Sequence, residues 1–157
     1  MLPGVAEGES MSACPWPIED LLPHARPMLL LDEALSSDGD GACAAVSIRP
    51  DHLFARAEGV PAHVGIEFMA QTCGIWAGGE AKREGGAVRL GFLLGTRRYK
   101  AARPYFHFGE RLEITARLVF RDQGMGVFDC RISGAGGEVL AEAQLSVYQP
   151  GEEGEQT

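Results

Sequence analysis

Gly65-Ile66-Glu67-Phe68-Met69-Ala70-Gln71-Thr72-Cys73-Gly74-Ile75-Trp76-Ala77-Gly78-Gly79-Glu80-Ala81-Lys82-Arg83 is the stretch on which the fold turns. Ile66, Met69, Ala70, Cys73 and Ala77 recur at helical spacing and form one continuous stripe, so the segment reads as a long amphipathic helix. Glu84-Gly85-Gly86 ends it. Gly74, Gly78 and Gly79 each cost roughly 1 kcal/mol relative to alanine inside a helix. Their presence implies that other backbone packs close against this element.

Outward from the helix, the chain is mostly strand. Downstream, Val88–Tyr99, Arg111–Arg121, Gly126–Ser133 and Val139–Tyr148 are β-rich. Turn signals separate them at Phe108-Gly109-Glu110, Asp122-Gln123-Gly124 and Gly134–Gly137. Upstream, Ile18–Leu22 reads as a short helix after Pro17. Met28–Glu33 reads as a buried strand, Ser36–Gly41 as a hairpin turn, Ala42–Ile48 as the returning strand and Asp51–Ala62 as a loop. One glycine-rich helix with enough strands to wrap it is an α+β layout. The body spans 16–149, between a flexible N-terminal segment at 1–15 and a flexible acidic tail at 150–157.

Bulk properties narrow the function. At 157 residues and 45% hydrophobic content the chain fits one domain with a core. The net charge of −8 argues against general nucleic-acid binding. Glu7, Glu9, Glu152, Glu153 and Glu155 carry five of those charges, leaving −3 for the body. Apolar runs are too short to span a bilayer, and the first residues lack the basic start and apolar stretch of a secretory signal, so a cytoplasmic protein is expected. Cys14, Cys43, Cys73 and Cys130 form no metal or disulfide pattern and read as reduced thiols; no metal site is expected. GxGxxG, P-loop, GxSxG and HExxH motifs are all missing from the sequence, which argues against nucleotide binding, an α/β-hydrolase and a zincin.

Glu67 is the first candidate for chemistry. An acid in the first helical turn complements the helix dipole, which is reason enough for its presence. The functional alternative is a carboxyl lodged among apolar residues, where burial favours the protonated form and suits a general acid. His52 and His63, two of the four histidines, flank the loop leading to this helix. A histidine base and a glutamate acid on opposite sides of one substrate are what β-elimination of water requires. Backbone N–H groups near Ala62 to Gly65 are candidates to polarise a thioester carbonyl. His24, between Pro23 and Pro27, reads as a structural turn cap, and His107 receives no role. Arg97-Arg98-Tyr99-Lys100, with Arg103, is either a solvated strand face or an anchor for phosphate or acidic helices.

Leu22-Pro23-His24-Ala25-Arg26-Pro27-Met28-Leu29-Leu30-Leu31-Asp32 resembles the "LPHRxPxLLVD" opening of the β-hydroxyacyl-acyl-carrier-protein dehydratases of fatty-acid synthesis. Pro61–Gln71 resembles their "PGVLxIEAMAQ" helix start, and Phe108-Gly109-Glu110-Arg111-Leu112 their "PGDxL" turn. Val60–Glu67, Gly91–Tyr99 and Gln149-Pro150 look most like a branch of predicted dehydratases associated with aryl-polyene-type pigment pathways. The resemblance covers about residues 18–148. It implies a hot-dog fold, a long central helix wrapped by an antiparallel sheet, paired into homodimers, heterodimers or higher oligomers. The sites then lie between subunits, with the histidine from one and the acid from the other.

Carried over residue by residue, the acid falls on Glu67. The histidine falls on Leu53, one residue after His52, and a one-residue insertion within Phe54–Gly59 restores His52 to the role. The family's Pro-Gly is Pro61-Ala62 here. The implied activity is dehydration of 3-hydroxyacyl thioesters on acyl carrier protein to trans-2-enoyl thioesters. No cofactor is implied beyond the substrate's phosphopantetheine. Ala62, His63 and Gly65 would meet the thioester, Phe68, Phe92 and Leu94 the acyl tail, and Arg97 and Arg98 the carrier. A catalytically degenerate partner subunit and a hot-dog thioesterase are the alternatives.

Overall fold

The computed structural model describes residues 13–24, 27–88 and 91–149, with the side chain of Phe92 outside that description. Of the expected flexible ends at 1–15 and 150–157, residues 1–12 and 150–157 lie outside it too, while Ala13 bridges to Ser36 and the Cys14 N–H donates to the Leu35 carbonyl at 3.2 Å.

A short 3-10 turn at Ile18–Asp20 precedes strands β1 (Glu33–Asp38) and β2 (Gly41–Ser47), which form a hairpin. Helix α1 (Gly65–Arg83) follows a two-residue strand β3 (Val60–Pro61) and a 3-10 turn at Ala62–Val64. Then come β4 (Phe92–Ala101), β5 (Tyr105–Phe106), β6 (Arg111–Asp122), β7 (Met125–Ser133) and β8 (Val139–Tyr148). Six strands make one antiparallel sheet in the order β1-β2-β6-β7-β8-β4, and β3 pairs with β5 separately.

The helix start and end fall where the sequence places them, and Gly85 takes the positive φ of +76° that ends a helix. The buried face is wider than the predicted stripe. Phe68, Met69, Thr72, Cys73, Ile75 and Trp76 are all buried, whereas Ile66, Ala70 and Ala77 are only half-buried. The sheet and the Met28–Leu30 segment together cover so much of the helix that even Gln71 and Thr72 are enclosed. Phe106, Phe128, Ile114, Ile132 and Leu145 close the core from the sheet side. Among the described residues no helix is long and apolar enough to cross a membrane.

Two upstream expectations need correction. Met28–Glu33 is not a strand; β1 begins at Glu33 and runs through Ser36 and Ser37, leaving Gly39-Asp40 as the two-residue turn. Leu29, Leu30 and Leu31 are buried as expected, but the Leu30 N–H donates to the side chain of Gln71 at 2.9 Å instead of to a neighbouring strand. A helix side chain thus replaces a sheet partner, and the apolar run lies along α1.

The helical glycines explain the closeness. A Cβ at Gly78 would run into the Leu21 carbonyl and lie 3.0 Å from the Leu21 Cα; one at Gly74 would meet Leu22 Cδ2 at 2.8 Å. The segment entering the domain therefore lies directly on the helix. A long helix cradled by a six-stranded antiparallel sheet is the α+β hot-dog architecture.

Candidate active site

The first turn of α1 is fixed from both sides. The Tyr99 hydroxyl, from β4, donates to the Ala62 carbonyl. A Cβ at Gly65 would collide with that hydroxyl and lie 3.0 Å from Ile132 Cδ1, so glycine is what lets strand and helix start meet. Burial pushes the Tyr99 phenol up to about 12, so it serves as a neutral donor.

Glu67 projects from this turn on the side away from the core and is exposed in the single chain. The apolar enclosure anticipated for it is therefore not supplied by its own subunit. Its orientation is. Gln71, one turn on, donates from Nε2 to Glu67 Oε2 at 3.1 Å and to the Met28 carbonyl at 2.9 Å. Its Oε1 accepts the Leu30 N–H. One buried amide thus ties the entering segment to the helix and holds the carboxylate.

Glu67 opens into a groove of about 680 Å³ that runs along α1 past Ala70, Gly74 and Ala77. Leu22–His24 lines one part of it, and Leu93, Met125 and Tyr148 another. Leu93, not Leu94, lines the groove, because a one-residue step along a strand changes face. Leu94 is 58% exposed elsewhere, and Phe68 is wholly in the core against Phe106, so neither sits where the acyl tail was expected. Phe92's side chain lies outside the described residues.

His52 occupies the other side of the helix start. Its ring meets Phe68 edge-on, with centroids 5.8 Å apart, and it does not line the groove. Nδ1 accepts the Phe54 N–H at 3.1 Å, while Nε2 is buried without a partner. Burial holds the imidazole below its ordinary value despite the pull of Asp32. His52 and Glu67 of one chain therefore do not face each other.

The remaining candidates scatter. His63 is exposed on the 3-10 turn. The Ala62 N–H is taken by the Pro104 carbonyl at 2.8 Å and that of Gly65 by the Ala62 carbonyl, so these two donors are spent within the chain. Arg97, Arg98 and Lys100 border a depression on the outer face of the sheet with Arg117, Asp129, Arg131 and Glu142. Arg117, Asp129, Gln144 and Arg97 stand in one row across β6, β7, β8 and β4, on the face away from the helix. Arg103 belongs elsewhere: it pairs with Glu110 at 2.5 Å. His107 joins that pair, its N–H donating to Glu110 Oε1 at 2.7 Å.

Chemically, the groove offers acid–base groups and, among the described residues, no activated nucleophile. Cys73 and Cys130 are buried with their sulfurs 3.8 Å apart, and burial raises the Cys73 thiol well above its usual range. The Thr72 hydroxyl is used on the Phe68 carbonyl. Sequence reading missed Gln71, although its place one turn after an acid was the available signal. It also took His24 for a turn cap; instead Nδ1 is buried without a partner and the residue lines the groove.

Fold and site together define a hot-dog-fold protein with a carboxylate at the start of its central helix. A family model described as "ApeP-like: ApeP dehydratase" matches residues 16–157, and the chain belongs to that family. Among solved structures it is similar to "The Dehydratase Heterocomplex ApeI:P from Xenorhabdus doucetiae", with 31% identity and a TM-score of 0.83 over 90% of this chain and 95% of that one. A hypothetical thioesterase with coenzyme A from Streptococcus pneumoniae (11% identity, TM-score 0.60, 76% of this chain and 88% of that one) shares the fold. So does AziG of S. sahachiroi (21%, 0.56, 75% and 90%). Among curated proteins none matches.

Proposed function

We propose that the chain is a subunit of a 3-hydroxyacyl-thioester dehydratase acting on acyl chains held by an acyl carrier protein, in fatty-acid or polyene-type biosynthesis. The observation that carries the proposal is Glu67 at the helix start, opening into the groove with its carboxyl held by Gln71, in a chain of a dehydratase family. Glu67 protonates the departing C3 hydroxyl, an imidazole takes the C2 proton, and trans-2-enoyl product remains. In the arrangement the resemblance implies, that imidazole is His52 of a second subunit. Arg97 and Arg98 open on the opposite face of the sheet from the groove, which suits them better to an acidic carrier surface than to a phosphate beside Glu67.

A second reading is favoured by one observation: His52 and Glu67 are on different sides of the helix start. In it this chain is the acid-bearing half of a mixed pair, completed by a companion hot-dog subunit. The X. doucetiae structure, itself a heterocomplex, supports it. Mass spectrometry of 3-hydroxyacyl carrier protein decides between them. Water loss with the chain alone supports a complete homomer, whereas water loss only with a companion supports the mixed pair. Glu67→Gln should lower turnover by roughly 100-fold or more, the scale of a general acid. Unchanged turnover removes Glu67 from the mechanism, and release of free acid instead of enoyl product identifies a thioesterase.

A further inference from the structure

We infer that Arg121 sets the length of acyl chain this groove accepts, the preferred substrates being straight apolar 3-hydroxyacyl chains of up to about 14 carbons. The inference deepens the dehydratase reading and rests on Glu67 marking the place of C3.

The groove follows one face of α1, so residue numbers on the helix measure distance along it. From Glu67 the floor is Ala70, Gly74 and Ala77, all small. It then meets a polar crossing. The Arg121 guanidinium, from β6, lies 5.1 Å from the centre of the Trp76 ring, and its Nη1 is 3.5 Å from Glu80 Oε1. Glu80 Oε2 is itself tied to Arg83 Nη2 at 3.1 Å. Trp76 is fixed too: its Nε1 donates to the Gly39 carbonyl at 3.2 Å, and its ring meets Phe128 edge-on at 5.4 Å. Trp76, Glu80 and Arg121 all line the groove, so a cation reaches across it from the sheet wall to the helix wall.

Past this crossing the lining turns apolar again. Cys130 lies against Cys73 and Phe128 against Trp76, so β7 runs toward the C-terminal end of the helix as its numbers fall. Met125 is further along that course, with Tyr148 as its partner on β8, and Leu93 pairs with the adjacent Val147. Arg121 thus divides the groove into a near part beside Glu67 and a far part walled by Met125, Leu93 and Tyr148.

Trp76 stands roughly 13.5 Å beyond Glu67 along the helix axis, at 1.5 Å per residue. Carbon–carbon bonds of about 1.5 Å at tetrahedral angles advance an extended chain by roughly 1.25 Å per carbon, so about eleven carbons beyond C3 reach the crossing. Each methylene laid on the near floor should raise kcat/KM about two- to fourfold. A longer chain must cover the Arg121–Glu80 pair, stripping water from both charges without offering either a polar partner, so the gain stops there. The lining charges also select the arm of the substrate that lies here. Among the described residues they are Glu67, Glu80 and Glu84 against Arg121 alone. Even with Glu67 protonated the lining is net negative, and its one cation is already paired, which repels the phosphate of a pantetheine arm and suits an uncharged acyl tail.

The test compares wild type with Arg121→Met, each alone and mixed with a companion hot-dog dehydratase subunit, on carrier-bound substrates from 3-hydroxyoctanoyl to 3-hydroxyoctadecanoyl. Wild-type kcat/KM should climb to about the tetradecanoyl chain and be roughly tenfold lower or more at octadecanoyl. Arg121 is 58% exposed at its side chain, and methionine keeps an unbranched stem, so the variant leaves the core intact. In Arg121→Met the octadecanoyl substrate should gain roughly tenfold or more, while octanoyl and decanoyl stay within about threefold of wild type. Calorimetric binding of the matching 3-hydroxyacyl-pantetheine amides, which do not react, should show the same cut-off and the same relief. A wild-type profile flat across the series, or a cut-off that Arg121→Met leaves in place, overturns the inference and leaves the dehydratase reading standing. Absence of water loss at every length, alone and with the companion, sinks the dehydratase reading instead. The amide series then decides by itself: length-limited binding relieved by Arg121→Met sustains the stop, and length-blind binding removes it.

Discussion

Gln71→Leu is the perturbation that most directly tests how the site is held. Leucine keeps the approximate volume, so the change removes polar contacts more than packing. The Leu30 N–H, buried, loses its acceptor; the Met28 carbonyl, partly accessible, loses a donor that water can partly replace; and Glu67 loses the amide that orients it. An orphaned buried N–H costs on the order of 1–3 kcal/mol, and the lost bond to a partly solvated carbonyl about 0.5–1 kcal/mol. The sum is about 1.5–4 kcal/mol, with a central value of about 2–3 kcal/mol. With a urea slope of about 1–3 kcal/mol/M, the unfolding midpoint should fall by roughly 1–2 M. For a domain of this size the same loss lowers Tm by about 5–10 °C. Turnover of a 3-hydroxyacyl carrier substrate should fall as well, because Glu67 is freed to rotate. Gln71→Glu separates the two effects. It keeps an acceptor for Leu30 but sets an oxygen against the Met28 carbonyl and the Glu67 carboxylate, so its stability deficit should shrink as falling pH protonates the new carboxyl. A Gln71→Leu variant that unfolds at the wild-type urea midpoint refutes the claim that this amide pins the entering segment.

Two further perturbations follow from the same geometry. Gly78→Ala gains about 1 kcal/mol of helix propensity but drives a methyl into the Leu21 backbone, an overpacking cost of about 1–3 kcal/mol; Gly74→Ala meets only the tip of Leu22, so thermal melts should show Gly78→Ala less stable than Gly74→Ala, and the reverse order refutes the packing argument. Burial alone would raise the Glu110 carboxyl, but the Arg103 guanidinium and the His107 N–H outweigh it and hold it below its ordinary value. A carboxyl so depressed contributes stability above its unfolded pKa, and that contribution is lost as pH falls through the folded value. Arg103→Met should therefore cost about 1 kcal/mol at neutral pH, discounted because both side chains are roughly a quarter exposed. It should also flatten the fall in urea midpoint below about pH 4.3, the ordinary glutamate value. An unchanged pH slope would mean the pair is not what holds Glu110.

How far the sequence could be read depended on whether a feature is local. Helix α1 was readable because its ends are marked by chain-neighbour chemistry: an acid in the first turn, Glu84-Gly85-Gly86 after the last. Its three glycines correctly signalled close backbone. The apolar run at Leu29–Leu31 was misread as strand because burial and strand pairing give the same pattern in a short segment, and the partner that decides, Gln71, lies 41 residues away. Ser36 and Ser37 read as turn by residue type, yet Ser37 is buried beside Gly79, whose missing side chain makes room for its hydroxyl. In the site, Glu67 stood out as a charge on an apolar helix. His24 did not, since its place in the groove depends on a segment folding back along the helix. Leu94 failed for the smaller reason that strand face depends on register, and β4 has an irregularity between Leu93 and Gly95.

These cases converge on one trade. Gly74, Gly78 and Gly79 cost α1 roughly 3 kcal/mol in sum against alanine, yet two of them are the places where the Leu21–Leu22 segment and Ser37 touch the helix axis most closely. Gly74 differs from these two: it meets only a flexible Leu22 methyl, and it lines the groove with Ala70 and Ala77. Larger residues along that line would strengthen the helix and fill the space in which the proposed function places an acyl chain beside Glu67. Gly74→Ala should therefore hold or raise Tm while slowing turnover of longer acyl substrates more than short ones. Loss of stability without any chain-length effect would instead make Gly74 a packing residue with no part in the groove's function.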